Sequence, residues 1–206
     1  MSGSLFIFSG PSGSGKSTIC AGLLDTFADL EISLSTTTRP PRDGETDGVE
    51  YLFVDDAEFD RMVKEGLFAE WATVHRHRYG TSLAVVEAAL GEGNKLLLDV
   101  DVQGAAAIRK LYPDAVATFL LPPSREVLAA RLAARGTDSD EVIGQRLAEV
   151  AAEIARVADY DHCVVNDDLE VAKAACADIV RGSSSRVTSP VEGPARAVLD
   201  SFEEKD

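Results

Sequence analysis

A chain of 206 residues, 45% of them hydrophobic and with a mean hydropathy of −0.01, is sized for one α/β domain with room for a small inserted lobe. No apolar run approaches the length of a membrane span, and Met1 leads into an apolar strand rather than a basic leader, which predicts a cytoplasmic protein without membrane contact. A formal net charge of −15 excludes broad nucleic-acid binding, which needs a basic face, and leaves any bound phosphate to local Arg, Lys and Mg²⁺.

The first predicted element is the strand Leu5-Phe6-Ile7-Phe8, a continuous apolar run of the kind buried on both faces of a parallel sheet. Directly after it, Gly10, Pro11, Ser12, Gly13, Ser14, Gly15, Lys16 and Ser17 match the G-x-x-x-x-G-K-[ST] phosphate loop, with Thr18 behind. The three glycines permit positive φ, so several N–H groups can turn onto one phosphate. The helix that starts near Lys16 adds its positive N-terminal end. Lys16 is placed to reach the β- and γ-phosphates, and the Ser17 hydroxyl to ligate Mg²⁺. A plain Gly/Ser turn between strand and helix has no need of the Lys-Ser pair at this spacing. The chain is expected to bind a nucleoside triphosphate.

Ile19, Leu23, Leu24 and Phe27 share one face of a predicted helix over 16–28, and residues 32–36 alternate as a strand. The prolines and glycines between Thr36 and Tyr51 make that stretch a long ordered loop. Arg39 and Arg42, three apart in it, form a fork for a second phosphate, although a solvated arginine pair has the same spacing. Asp55 or Asp56 caps a short helix through Lys64 that Gly66 stops. Residues 67–74 and 78–81 read as strands around a turn at His75-Arg76-His77. With Arg78, that turn is a weak candidate for a metal or phosphate site and a better one for a solvated hairpin tip, since no third ligand is near in sequence. Residues 35–81 therefore form a β-rich lobe inserted between core elements.

A helix from Ser82 to about Gly93 precedes Leu96-Leu97-Leu98-Asp99, a buried strand ending in a carboxylate as in the Walker-B pattern. The acid emerges at the carboxyl end of the strand, where α/β sheets bind ligands, and Asp101 follows it. A helix over 103–110, a strand over 115–121 and a Pro-started helix to Arg135 come next. Arg131 and Arg135 share a face of that helix, which Gly136-Thr137-Asp138-Ser139 breaks. Ile143, Leu147, Val150, Ile154 and Val157 form the inward stripe of a longer helix, and Arg146 lies off the stripe, able to turn back toward Arg135. A strand over 162–165 runs into Asn166, and a helix over 169–181 follows. Cys20, Cys163 and Cys176 share no metal or disulfide spacing and read as reduced core thiols. Residues 183–206, rich in Ser, Pro and acids, read as a flexible acidic tail. Its removal should change stability little, with Val198, Leu199 and Phe202 offering only a weak docking face.

The series GPSGSGKST, TTRPPRDGETDGVEYLFV, AEW, YGTS, LDVDVQG, RLAARGTDS and VVNDDL, in that order across residues 5–181, resembles the guanylate kinase family. The resemblance implies an α/β fold: a P-loop parallel-sheet core with flanking helices (1–34, 82–134 and 159–182), an inserted β-rich GMP-binding lobe (35–81) and a helical lid (135–158). It implies ATP-dependent phosphorylation of GMP, and of dGMP, by in-line phosphoryl transfer with Mg²⁺, in purine nucleotide metabolism. By residue, it implies that Arg39, Arg42, Tyr51 and Tyr79 hold the GMP phosphate, while Ser35, Glu70 and Asp101 read the guanine with Thr81 beside them. It implies that Asp99 positions Mg²⁺ through water, and that Lys16, Arg39, Arg135 and Arg146, with Arg131, act on the transferring phosphoryl group. Asn166 would sit near adenine. Two other readings stand beside this one. A non-catalytic guanylate-kinase-like peptide-binding scaffold is disfavoured because such relatives degrade the phosphate loop. A P-loop kinase for another phosphorylated acceptor is disfavoured by the complete lobe. The oligomeric state is left open.

Overall fold

The computed structural model describes residues 3–74, 76–134, 140–183 and 194–203. In chain order the elements are β1 (Ser4–Ser9), α1 (Lys16–Thr26), β2 (Leu30–Ile32), β3 (Thr36–Thr37), β4 (Leu52–Phe53), α2 (Asp56–Lys64), β5 (Phe68–Val74), β6 (His77–Ser82) and α3 (Leu83–Glu92). They continue with β7 (Lys95–Asp99), α4 (Val102–Leu111), β8 (Val116–Leu121), α5 (Arg125–Ala133), α6 (Asp140–Ile154), a 3₁₀ turn (Val157–Asp159), β9 (His162–Val165), α7 (Leu169–Val180) and α8 (Pro194–Glu203). The chain divides into two compact units, with boundaries at Ile7/Phe8, Ala28/Asp29 and Ala115/Val116.

In the first unit, β2 runs parallel to β7 with Leu30 opposite Lys95 and Ile32 opposite Leu97. Leu96, Leu97 and Leu98 are buried, as a continuous apolar strand in a parallel sheet demands. A second sheet, in the order β4-β3-β6-β5, is built from strands lying between Thr36 and Ser82. Its β5–β6 hairpin pairs Glu70 with Thr81 and Trp71 with Gly80, after a register shift between Phe68 and Glu70. Helix α2 is capped by Asp55, whose side chain accepts from the Glu58 N–H at 2.8 Å. Its buried Phe59 stacks on Phe68 with ring centroids 4.7 Å apart. The strand predicted over 32–36 is instead two strands in two sheets. Ser33 still donates to Leu97 O at 3.0 Å, and by Thr36 the chain pairs with Gly80 of the lobe. The period of two runs on through the link, so alternation could not reveal the change of partner.

In the second unit, β8 runs parallel to β9 from Thr118–His162 to Leu121–Val165. Helix α1 buries Ile19, Cys20 and Leu23, and α7 buries Ala172, Ala175, Cys176, Ile179 and Val180. The prolines before α5 lie ahead of it rather than starting it; Ser124 is the cap and accepts from the Val127 N–H at 3.3 Å. All three cysteines are buried, and none is in a disulfide. Burial pushes the Cys163 and Cys176 thiols up to about 12, which leaves them protonated and inert. The break predicted at 136–139 lies outside the described residues.

The expectation of a flexible tail fails over 194–203. Helix α8 buries Ala195, Val198 and Leu199 on one face and packs on β9, α5 and α6. Residues 184–193 and 204–206 lie outside the described residues. The average composition of the segment hid a short amphipathic stretch, and burying such a face stabilises it where propensity alone would not. Deleting residues 194–206 is therefore expected to destabilise the protein by about 3 kcal/mol, counting roughly 1.5 kcal/mol for each large apolar side chain lost. That is a fall of several degrees in Tm by calorimetry. An unchanged Tm would mean that this face contributes nothing.

Candidate active site

The phosphate loop belongs to the second unit and has the backbone that its glycines predict: φ is 150° at Gly10, 93° at Gly13 and 91° at Gly15. The Ser14 N–H closes a turn on Pro11 O at 3.0 Å. Two successive carbonyls of the loop are held by side chains from elsewhere in the unit. Asn166 Nδ2 donates to Ser14 O at 2.7 Å, and the Arg131 guanidinium donates to Gly13 O at 3.4 Å and to Asn166 O at 3.0 Å. Asn166 is 4% exposed. A Cβ at Gly15 would lie 2.2 Å from Asn166 Nδ2, so only glycine fits beside that amide. Lys16, Ser17 and Thr18 form the first turn of α1, which contains no acid, and Gly15 caps the helix without a side chain. The positive end of α1 is therefore not offset by a carboxylate of its own first turn.

The other candidate residues lie in the first unit. Arg39, 8% exposed, donates through Nη2 to Glu45 Oε1 at 2.8 Å and through Nη1 to Pro40 O at 2.9 Å. Its guanidinium lies over the Tyr51 ring at 5.3 Å and the Phe53 ring at 5.7 Å. Tyr51 meets Tyr79 edge-on, with centroids 6.0 Å apart. Three of the four residues expected at the GMP phosphate thus gather in one cluster. The fourth, Arg42, joins through its backbone, whose N–H donates to Glu45 Oε2 at 2.7 Å. Glu45 is held below the usual carboxylate range chiefly by its bond with Arg39, and Arg39 is raised chiefly by Glu45, then by Tyr79. Glu45 has no role among the residues that the sequence singles out. An acid three residues from one arginine and six from the other, within one rigid loop, was the available signal.

Glu70, on β5, is 8% exposed and its Oε1 accepts from the Thr81 hydroxyl at 2.6 Å across the hairpin. Helix α4 packs against β5, and a Cβ at Gly104 would lie 2.7 Å from Glu70 Oε2. Gly104 is thus a second residue that sequence reasoning missed; its missing side chain makes room for a carboxylate. Burial pushes Glu70 from the ordinary value of 4.5 up to about 7, the Thr81 hydroxyl opposes the rise, and the nearby Asp101 charge adds to it. Asp101 caps α4: its Oδ1 accepts from the Gly104 N–H at 2.8 Å and its Oδ2 from Gln103 Nε2 at 3.1 Å. Ser35 lies just before β3, where its carbonyl accepts from the Leu52 N–H at 3.0 Å, and Asp99 ends β7 half-buried.

Arg78 is not a solvated tip residue. It donates to Asp56 Oδ1 at 2.6 Å and also bonds Asp60, with its guanidinium 4.6 Å over the Phe59 ring, which ties the hairpin to α2. His75, Arg135 and the side chain of Arg146 lie outside the described residues. Among the described residues, no three His, Cys, Asp or Glu side chains gather as a metal-binding group, and no helix is long and apolar enough to cross a membrane.

Against known proteins, the Guanylate kinase family model matches residues 2–183. The chain is 52% identical over 167 residues to a guanylate kinase of Syntrophotalea carbinolica, spanning 81% of this chain and 80% of that one. It is 46% identical over 184 residues to a guanylate kinase of Symbiobacterium thermophilum, spanning 89% and 87%. The crystal structure of guanylate kinase from Anaplasma phagocytophilum superposes with a TM-score of 0.75 at 30% identity, covering 97% of this chain and 95% of that one.

Proposed function

This chain belongs to the guanylate kinase family and transfers a phosphoryl group from ATP to GMP, and we propose how its residues divide that work. The phosphate loop, residues 10–18, takes the ATP phosphates on its N–H groups, with Lys16 on the β- and γ-oxygens. Arg39, Arg42, Tyr51 and Tyr79 take the GMP phosphate, and Glu45 ties the Arg39 guanidinium to the Arg42 backbone. Glu70 accepts from the guanine N1–H and N2 amine, with Thr81 orienting its carboxylate. Ser35 and Asp101 complete that edge, Asp101 while also capping α4. Arg135 and Arg146 bring positive charge to the group in flight.

Such a transfer needs positioning and charge neutralisation more than covalent chemistry, because the phosphate oxygen of GMP is already a competent nucleophile. Mg²⁺ is the cofactor we propose. The Ser17 hydroxyl and, through water, the Asp99 carboxylate are hard oxygen donors of the kind it takes, and the ion neutralises charge on the β- and γ-phosphates when bound. A cytoplasmic location fits the nucleotide substrates and three buried thiols that form no disulfide.

The observation that carries this reading is the complete phosphate loop, with three left-handed glycines ahead of Lys16 and Ser17. A scaffold that only binds peptides has no use for it. The test is a coupled assay offering ATP with GMP, dGMP, AMP, CMP or UMP. GMP and dGMP should turn over, with kcat/KM for AMP lower by ~10⁴, since a site built to bond a donor rejects an analogue that lacks it. ATP consumption that is equal with every acceptor would overturn the assignment.

A further inference from the structure

We propose that Asn166 is a positioning residue for the donor nucleotide: its side-chain amide, backed by Arg131, sets the peptide planes of the phosphate loop so that they present N–H groups to the phosphates. The proposal rests on the reading of residues 10–18 as the ATP site and deepens it.

The chain brings Asn166 to the loop through the sheet. Its backbone N–H donates to Leu121 O at 2.8 Å, which anchors it beyond the ends of β8 and β9. From there Nδ2 donates to Ser14 O at 2.7 Å, while Arg131 donates to Asn166 O at 3.0 Å and to Gly13 O at 3.4 Å. In a trans peptide the carbonyl and the N–H point in opposite directions. Holding Ser14 O from outside the loop therefore turns the Gly15 N–H to the other side, toward the loop interior. The preceding peptide is fixed at both ends, its carbonyl on Arg131 and its Ser14 N–H on Pro11 O at 3.0 Å. A free Gly-Pro-Ser-Gly-Ser-Gly run has many conformations, and a phosphate would have to order it on binding. Here the ordering is built in, and a preorganised set of donors binds better than one that must be assembled.

Asn166 Nδ2 is thus bonded to the loop backbone, whereas the resemblance implies a place beside adenine. The two roles make different predictions. A backbone strut needs a donor at that position, because its target is a buried carbonyl; a base contact would alter the choice of donor nucleotide.

The full chain with Asn166→Ala and Asn166→Asp tests this, with initial rates measured against Mg-ATP and against GMP. Loss of a donor to a buried carbonyl should raise KM for ATP about tenfold in the alanine variant. In Asn166→Asp at pH 8 the rise should be larger, because a carboxylate there faces a carbonyl oxygen. KM for GMP should stay within about twofold of wild type, and the preference for ATP over GTP as donor should be unchanged. The distinguishing signature is the pH profile. A protonated carboxyl can donate to Ser14 O, so Asn166→Asp should approach wild type as pH falls toward 5.5, while Asn166→Ala should not. Unchanged KM for ATP in both variants overturns the proposal. So does a collapse of the ATP-over-GTP preference, which would make Asn166 a base contact, or an equal loss toward ATP and GMP, which would make it merely structural. If neither variant folds, Arg131→Met decides: KM for ATP rises with KM for GMP unchanged, or the proposal fails. Wild-type transfer from ATP to GMP, measured alongside, tests the parent reading separately.

Discussion

Lys16→Met is expected to give a folded protein that still binds GMP and phosphorylates it about a thousandfold more slowly, a loss of about 4 kcal/mol at 1.36 kcal/mol per decade. Lys16 opens α1 directly after the left-handed Gly15, where the protein supplies neither a side-chain cap nor an acid in the first turn. The helix end contributes only partial charge, so the full charge that the phosphate loop itself aims at the transferred group is the ammonium. Methionine keeps an unbranched stem and a good helix propensity while removing that charge. The packing of α1 rests on Ile19, Cys20 and Leu23, which are untouched. The residues proposed to hold GMP belong to the other unit, so its KM should move little while kcat falls. Near wild-type turnover by a folded variant would remove Lys16 from the machinery.

How much of this was legible in the sequence depends on how far apart the interacting residues lie. The phosphate loop is read at once, since one strand, three glycines and a Lys-Ser pair carry the whole pattern within residues 5–18. The lobe hairpin is nearly as plain, because Glu70 and Thr81 are close in sequence and alternate across a turn. The strut from Asn166 to Ser14 spans 152 positions, and nothing local to either residue signals it. Glu45 is in view between Arg39 and Tyr51, but its spacing from the two arginines is a weak signal in a loop of mixed charge until one oxygen is seen on the Arg39 guanidinium and the other on the Arg42 backbone N–H. The titration of Glu70 depends on β5, β6 and α4 arriving together, which periodicity does not encode. At the C-terminus the averaging itself misled: Ser, Pro and acids outweighed the three apolar residues that α8 buries.

Glu70→Gln is expected to make the protein more stable at alkaline pH and a much poorer guanylate kinase. The amide keeps the shape of the side chain and an acceptor oxygen for the Thr81 hydroxyl, so the hairpin is preserved. What it lacks is a second acceptor for the two donors of guanine, N1–H and the N2 amine. kcat/KM for GMP should fall about a hundredfold, about 2.7 kcal/mol, and the preference for GMP over IMP, which has no N2 amine, should shrink. The stability change follows from linkage. Burial lifts Glu70 from 4.5 to about 7, so between those values the folded chain holds a proton that the unfolded chain has released. The contribution of Glu70 is then fully favourable below about pH 4.5 and is lost as pH rises through 7. Glutamine has nothing to lose. The Tm advantage of the variant should be small at pH 5 and grow to the equivalent of roughly 3 kcal/mol by pH 8. The same proton gives a binding signature. If guanine requires the carboxylate, then GMP binding near pH 7 must expel the proton from about half of the wild-type molecules. Calorimetry in two buffers of different ionisation enthalpy would register it. Protons from the GMP phosphate itself would appear in both proteins, so the difference between wild type and Glu70→Gln belongs to Glu70. Equal GMP kinetics in the two proteins, with no difference in proton release, would mean that Glu70 is not the guanine acceptor. A gain in stability alone would then leave it as a buried acid without a substrate. The expected pairing of lost activity with gained stability marks a residue whose burial is unfavourable to the fold at neutral pH and is offset only when guanine donors arrive.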